Sequence, residues 1–151
     1  MANATETKFG DPEQRIAQTA YWTLLLRPKQ VTLGALVLVC REPVTAFGAL
    51  SAEAYADLGR CVARIEPVLR EFCSYERINY LMLMMVDPDV HFHVLPRYAG
   101  TRRFAEVDYT DAGWPGPPDL NSAVTPSAAA SAELVARLRH AWHQQTAAGA
   151  A

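Results

Sequence analysis

The chain has little net charge, and this excludes one broad class of partner. Its 14 lysines and arginines nearly balance 16 acidic residues, so the formal net charge is only −2 at pH 7. A protein without a strong positive field does not hold a polyanion along its surface, which argues against binding of duplex nucleic acid. A small anionic ligand is still allowed at a local site.

Cysteines and long apolar runs are also scarce. Cys40, Cys61 and Cys73 are widely spaced and form no pair of the kind found in zinc sites or redox motifs, so we expect free thiols. No apolar run is long enough to cross a bilayer, and the polar residues 1–18 lack the apolar stretch of a signal peptide. These features predict a cytoplasmic protein without membrane association.

The length and composition of the chain suit one globular domain, which we assign to residues 19–151. Half of the residues are hydrophobic and a fifth are charged, as in an ordinary folded protein. Residues 1–18 are polar and contain glycine and proline. We therefore expect them to form a mobile N-terminal segment, with one short helical turn before the first strand and without a functional role.

Two helices are predicted from apolar residues that recur every three or four positions. The first covers about 51–73, where Pro67 is expected to kink or end it, and the second covers about 127–145. A tight turn at Asp87-Pro88 is expected between the last two strands. Strand-length runs of apolar and β-branched residues occupy 21–26, 33–40, 79–86 and 89–95.

The most informative stretch begins at Asp89, where three ionisable residues alternate with apolar ones. Successive side chains of a strand point to opposite faces of the sheet. We therefore expect Asp89, His91 and His93 to share one face. Phe92 and Val94 should pack into the core on the other face.

This alternation, followed by Pro96-Arg97, resembles the signature of the histidine triad family, in which three histidines alternate with apolar residues. His91 falls on the position of the family's nucleophile and His93 on that of its third histidine, whereas Asp89 replaces the first. The resemblance implies an α+β fold, with an antiparallel sheet of about five strands and helices on one side. It also implies a homodimer.

The resemblance further implies an enzyme, similar to bacterial and fungal diadenosine polyphosphate hydrolases. His91 would attack the α-phosphate of a nucleoside phosphate, a dinucleoside polyphosphate or a phosphoramidate, and water would break the nucleotidyl-imidazole intermediate. His93 would donate a hydrogen bond to a phosphate oxygen or protonate the leaving group, and Arg97 would bind the substrate. The sequence requires no cofactor and no protein-bound metal, although Mg²⁺ can accompany the nucleotide.

Asp89 is the main departure from the signature. Its carboxylate would orient a neighbouring imidazole and stabilise a cationic intermediate, but it would also repel the incoming phosphate. We therefore expect a slower or differently selective enzyme. Two alternatives remain: a noncatalytic nucleotide-binding protein, and, with weaker support, a divalent metal site formed by Asp89, His91 and His93.

Overall fold

The computed structural model describes residues 2–150 of the chain and the side chains of residues 2–145. Within these residues the architecture is α+β, with a five-stranded antiparallel sheet, a two-stranded hairpin and three α-helices. This confirms the fold class predicted from the sequence. Ala151, the last residue of the predicted domain, lies outside the described residues. No helix in the described part of the chain combines the length and the apolar character needed to span a bilayer.

Five strands form the main sheet: β1 (Arg15–Gln18), β2 (Trp22–Leu26), β3 (Leu36–Cys40), β4 (Arg77–Leu81) and β5 (His91–Arg97). They lie in the order β1-β2-β3-β5-β4, so β3 is central and β1 and β4 are the edges. A separate hairpin pairs β6 (Thr101–Phe104) with β7 (Val107–Thr110). The helices are α1 (Ala4–Lys8), α2 (Ala52–Cys73) and α3 (Ala128–Ala150).

The long helix α2 follows the sequence prediction closely at both ends. Ser51 is its N-cap, and the side-chain oxygen of Ser51 accepts a hydrogen bond from the backbone N–H of Ala54 over 3.1 Å. The helix does not end at Pro67 but continues to Cys73. The apolar spacing continues beyond the proline, and burial of Leu69 against the sheet holds the last turns in place.

Helices α2 and α3 cover one face of the sheet. Helix α3 starts where predicted, with the Ser127 hydroxyl accepting from the backbone N–H of Ala130 over 3.1 Å, and it extends past the predicted end near residue 145. The core beneath the helices includes Trp22, Leu24, Leu38, Ile65, Leu69, Leu134 and Leu138. Cys40, Cys61 and Cys73 are buried free thiols, as predicted.

The opposite face of the sheet is covered by the N-terminal segment. A smaller apolar cluster of Leu25, Val37 and Val39 lies there, and Phe9 packs against it. The segment predicted to be mobile is therefore folded, with α1 over the sheet, Thr5 buried and β1 paired with β2. The prediction is wrong here because β2 and β3 are apolar on both faces, and the second face also needs a cover.

The connection between β4 and β5 is longer than predicted. Strand β4 ends at Leu81, and residues 82–90 form an irregular loop in place of a tight turn at the end of a strand over 79–86. Met84 has a φ of 50°, which interrupts an extended backbone. Strand β5 begins two residues after Asp89, so this aspartate lies before the strand rather than in it.

Candidate active site

Two histidines of β5 lie side by side on the sheet face opposite α2 and α3. His91 is directly opposite Val39 of β3, and His93 is directly opposite Val37. Because directly opposite residues share a face, both imidazoles lie beside the small apolar cluster, with their ring centroids 5.3 Å apart. Phe92, between them in sequence, packs against the helical core. The predicted alternation is confirmed for these three residues.

A backbone carbonyl orients the ring of His91. Its Nδ1 lies 2.7 Å from the carbonyl oxygen of Asp89. A carbonyl oxygen only accepts hydrogen bonds, so Nδ1 carries the proton and donates it, and in the neutral ring the lone pair lies on Nε2. This hydrogen bond therefore leaves Nε2 as the nitrogen that could act as a nucleophile, and it needs no particular side chain at position 89.

An arginine fixes the other histidine in the complementary tautomer. The Nε–H of Arg27 donates to Nδ1 of His93 over 3.4 Å. A guanidinium has no acceptor, so Nδ1 is unprotonated and Nε2 of the neutral ring carries the proton. Burial, followed by the positive charge of Arg27, lowers the pKa of His93 from 6.5 to about 4. At neutral pH His93 is therefore an uncharged hydrogen-bond donor rather than an imidazolium acid.

Asp89 lies before strand β5 rather than in it, so the prediction that places it in one strand with the two histidines is wrong, and its carboxylate contacts the N-terminal segment. Its Oδ2 accepts hydrogen bonds from the backbone N–H of Thr5 at 3.2 Å and from the Thr5 hydroxyl at 2.8 Å. The carboxylate thus ties α1 to the start of β5. Among the described residues, no group of three or more histidines, cysteines or carboxylates is placed to hold a metal ion. The geometry therefore gives no support to the metal alternative.

Arg97 lies on the histidine face of β5, but its guanidinium is bound in a buried polar network. Its Nε and Nη2 donate to the carboxylate of Asp111 at 2.6 and 3.1 Å, and Nη1 donates to Asn79 at 2.8 Å. Nη2 also donates to the carbonyl oxygen of Gly116. Arg97 is 4% exposed and is absent from the walls of the cavity beside His93. The predicted substrate contact is not supported, and Arg97 has a structural role.

A cavity of about 390 Å³ opens beside His93. Its walls come from the N-terminal segment, the β2–β3 connection and the loop before β5, and they comprise Lys8, Phe9, Arg27, Pro28, Lys29, Val86, Asp87 and His93. Three of these residues are cations, and Lys8 forms an ion pair with Asp87 over 2.8 Å. Arg27 and Lys29 supply the charge and donors that suit a phosphate.

None of the three cations in this cavity was predicted as a site residue from the sequence. Lys8, Arg27 and Lys29 belong to two segments that are distant from the histidines in sequence, and only the fold brings them together. No local motif marks them. The one sequence signal was indirect: the unbroken apolar runs of β2 and β3 indicate two buried faces, and therefore a further segment packed over the sheet.

His91 is covered by the N-terminal segment. We call residues 3–10 the N-terminal cover. The ring centroid of Phe9, in this cover, lies 6.2 Å from that of His91 and 5.9 Å from that of His93. His91 is only 2% exposed, and the cavity is lined by His93 rather than by His91. A ligand in the cavity therefore meets His93 first, and Phe9 blocks its way to His91.

Comparison of the sequence with protein-family models and with curated proteins found no match. Solved structures, however, share its fold. A histidine triad protein from Bradyrhizobium japonicum is 20% identical, with a TM-score of 0.72 over 93% of this chain and 96% of that chain. A hypothetical histidine triad nucleotide-binding protein from Sulfolobus tokodaii is 14% identical, with a TM-score of 0.66 over 87% and 84%. A zinc-bound histidine triad family protein from Mycobacterium smegmatis is 18% identical, with a TM-score of 0.64 over 95% and 94%. The chain therefore has the histidine triad fold.

Proposed function

We propose that this chain is a histidine triad nucleotide hydrolase or transferase that forms a covalent nucleotidyl intermediate on His91. The observation that carries the proposal is the 2.7 Å contact between Nδ1 of His91 and the carbonyl oxygen of Asp89. This contact leaves the lone pair on Nε2, which is the requirement for attack on phosphorus. The histidine triad fold and the cationic cavity beside His93 support the same reaction class.

The reaction has two displacements at the α-phosphorus. Nε2 of His91 attacks, a P–N bond forms, and the bond to the leaving group breaks, so the leaving group departs with the electron pair. Water then attacks the phosphorus, the P–N bond breaks, one proton of the water passes to solvent, and the mononucleotide is released while Nε2 regains its lone pair. His93 donates from Nε2 to a nonbridging oxygen, and Arg27 and Lys29 offset the phosphate charge.

The cavity favours a small nucleotide as substrate. Its volume of about 390 Å³ lies within the range of about 300–1,000 Å³ found for small-molecule sites. Nucleoside phosphates, dinucleoside polyphosphates and phosphoramidates all present the phosphorus that this chemistry needs. Any Mg²⁺ would enter with the nucleotide phosphates, because the described residues supply no metal cluster.

A noncatalytic nucleotide-binding protein is the second candidate, and one observation favours it. His91 is 2% exposed beneath Phe9, so a nucleotide held in the cavity does not reach the nucleophile while the cover is closed. Such a protein would bind a mononucleotide through Arg27 and His93 without turning over any substrate.

Chemical trapping distinguishes the two candidates. Protein is mixed with diadenosine polyphosphate or an adenosine phosphoramidate, quenched in alkali to preserve the P–N bond, digested, and mapped by mass spectrometry. We expect an AMP adduct on the peptide that contains His91 and release of AMP. Both should be lost in His91→Gln and retained in His143→Gln, a matched control on an exposed helical position. A mononucleotide that raises the Tm without adduct or turnover would favour the second candidate, and the absence of all three would contradict both.

The resemblance also leads us to propose a homodimer and a cytoplasmic location. Strand β4 lies at the sheet edge, so its outer backbone groups are free for pairing with a second sheet. Light scattering coupled to gel filtration would test the dimer, and a monomer at micromolar concentration would contradict it.

A further inference from the structure

The cover over His91 is small and depends on tertiary contacts. Helix α1 has only five residues, and a helix of this length is unstable unless other parts of the protein hold it. The apolar side chain of the cover is Phe9, which packs on both imidazoles and on the small cluster beneath them. The other contacts are mostly polar.

Four polar contacts join the cover to the strands and to the loop before β5. In the first, the Thr23 hydroxyl of β2 donates to the carboxylate of Glu6 over 3.2 Å. The side chain of Asn3 donates to the carbonyl oxygen of Cys40 over 2.9 Å. Lys8 pairs with both carboxylate oxygens of Asp87 at 2.8 and 2.9 Å, but the Lys8 side chain is half exposed. The Asp89–Thr5 contact is less exposed and carries two hydrogen bonds to one carboxylate oxygen, whereas Thr23 and Asn3 each make one, so it is the strongest of the shielded contacts.

We propose that the N-terminal cover is an autoinhibitory lid over His91 and that Asp89 is its latch. This inference rests on the proposed function only in taking His91 as the reactive group. The residue that departs from the triad signature is the residue that holds the lid, because position 89 needs to supply only its carbonyl oxygen to His91. Opening removes Phe9 from both imidazoles and joins the cavity beside His93 to His91.

The lid and the cavity share a residue, which couples opening to ligand entry. Lys8 lies in the cover, lines the cavity and is bonded to Asp87. A phosphate that enters the cavity competes with Asp87 for the Lys8 ammonium group and so weakens one of the ties that keep the lid closed. Arrival of an anionic ligand therefore favours exposure of the nucleophile.

Chemical reactivity of His91 tests the latch without any assay of enzymatic activity. The rate of carbethoxylation by diethylpyrocarbonate is measured peptide by peptide, with the exposed His140 and His143 as internal standards. We expect Asp89→Ala to raise the rate at His91 by about tenfold, since it removes two charge-assisted hydrogen bonds. Thr5→Val should raise it by about threefold, because the backbone N–H of Thr5 still reaches the carboxylate. Arg103→Gln, at an exposed ion pair far along the chain, should leave it unchanged.

Hydrogen exchange of the wild-type protein provides a second test that depends on no variant. The amides of residues 5–9 should exchange roughly a hundredfold faster than those of central strand β3, because the lid opens without global unfolding. Equal exchange in the two segments would overturn the proposal. So would unchanged reactivity of His91 in both latch variants with circular dichroism like that of the wild type. Faster carbethoxylation without an AMP adduct in any variant would support the lid and count against the proposed enzyme.

Discussion

The two faces of the sheet are buried by different means. The helical face packs Leu24, Leu38 and Phe92 against two long helices, in one large apolar cluster. The histidine face has two small clusters of three buried residues each, Leu25, Val37 and Val39 beneath the short N-terminal segment and Val31, Ala35 and Leu95 farther along the sheet. Apolar burial on the helical face therefore supplies most of the stability, since stabilisation scales with the apolar area removed from water.

The histidine face instead buries polar groups, and the N-terminal cover satisfies several of them. The Thr23 hydroxyl donates to Glu6 over 3.2 Å, and burial of Glu6 raises the pKa of its carboxyl group. Asp89 is bonded in the same way by Thr5. A buried polar group without a partner is costly, so the cover is needed for the stability of this face as well as for shielding of His91. One face of the sheet is therefore packed by two long helices, and the other holds the two histidines under a short segment with many polar contacts.

The largest loss of stability is expected from a substitution next to Arg97, at the end of β5 far from His91. Asp111→Asn leaves the buried guanidinium of Arg97 without its counter-charge and should lower the free energy of unfolding by about 3–5 kcal/mol. Asp108→Asn, in an exposed pair with Arg103, should cost less than about 1 kcal/mol. Urea denaturation measures both. Equal costs would mean that the buried network does not stabilise this end of the face.

A matched pair of leucines compares the two faces directly. Leu38→Ala, under the helices, should lower the free energy of unfolding by about 2–5 kcal/mol. Leu25→Ala, under Phe9, should fall at the lower end of that range, because the short cover can move to fill the space. Only Leu25→Ala should speed carbethoxylation of His91. If carbethoxylation of His91 were faster in Leu38→Ala alone, the helical face rather than the N-terminal cover would control access to His91.

The pH dependence of stability reports on the buried imidazole of His93. Its pKa is about 4 in the folded chain and 6.5 ordinarily, so between these values the unfolded chain binds the proton more readily. Stability from this group is present above pH 6.5 and is lost as the pH falls towards 4, by about 3 kcal/mol in total. In His93→Asn, the stability lost between pH 6.5 and pH 4 should be smaller by about 3 kcal/mol, because the variant lacks this titrating group. A wild type and variant with parallel profiles would contradict the assignment of His93 as buried and neutral.

The smallest effect is expected on nucleotide affinity, when Arg27 of the cavity is replaced. Arg27→Gln should raise the KM or Kd for a nucleotide about tenfold, because it removes one charge-assisted contact and the donor that fixes His93. Arg27→Lys should recover part of the affinity, since it keeps the charge. Isothermal titration with AMP measures this. Affinity that is unchanged in Arg27→Gln would exclude Arg27 from the phosphate site.

The sequence predicted the histidine pair because a period of two places alternate residues of a strand on one face. That rule needs only local information, and it held for His91, Phe92 and His93. The rule does not apply to Asp89, because the strand starts two residues later than predicted. The contact between Asp89 and Thr5 joins residues that are far apart in sequence, and no local pattern predicts it.

Elsewhere, local patterns were misleading or absent. Leu83, Met85 and Val86 look like a strand in the sequence but are 48%, 87% and 81% exposed in a loop. The hairpin β6–β7 turns at Ala105 and Glu106, which have φ values of 50° and 65°. Turns with positive φ usually contain glycine or asparagine, so this one left no sequence signal.

The two histidines hold opposite tautomers, and the proposed function depends on the free lone pair of Nε2 in His91. Nitrogen NMR of protein labelled with ¹⁵N in its imidazole rings tests this most directly at pH 7. We predict that the proton of His91 is on Nδ1 and that of His93 on Nε2, each with the chemical shift of a single tautomer. A proton on Nε2 of His91 would rule out the proposed nucleotidyl intermediate, because that nitrogen would then have no lone pair with which to form a bond to phosphorus.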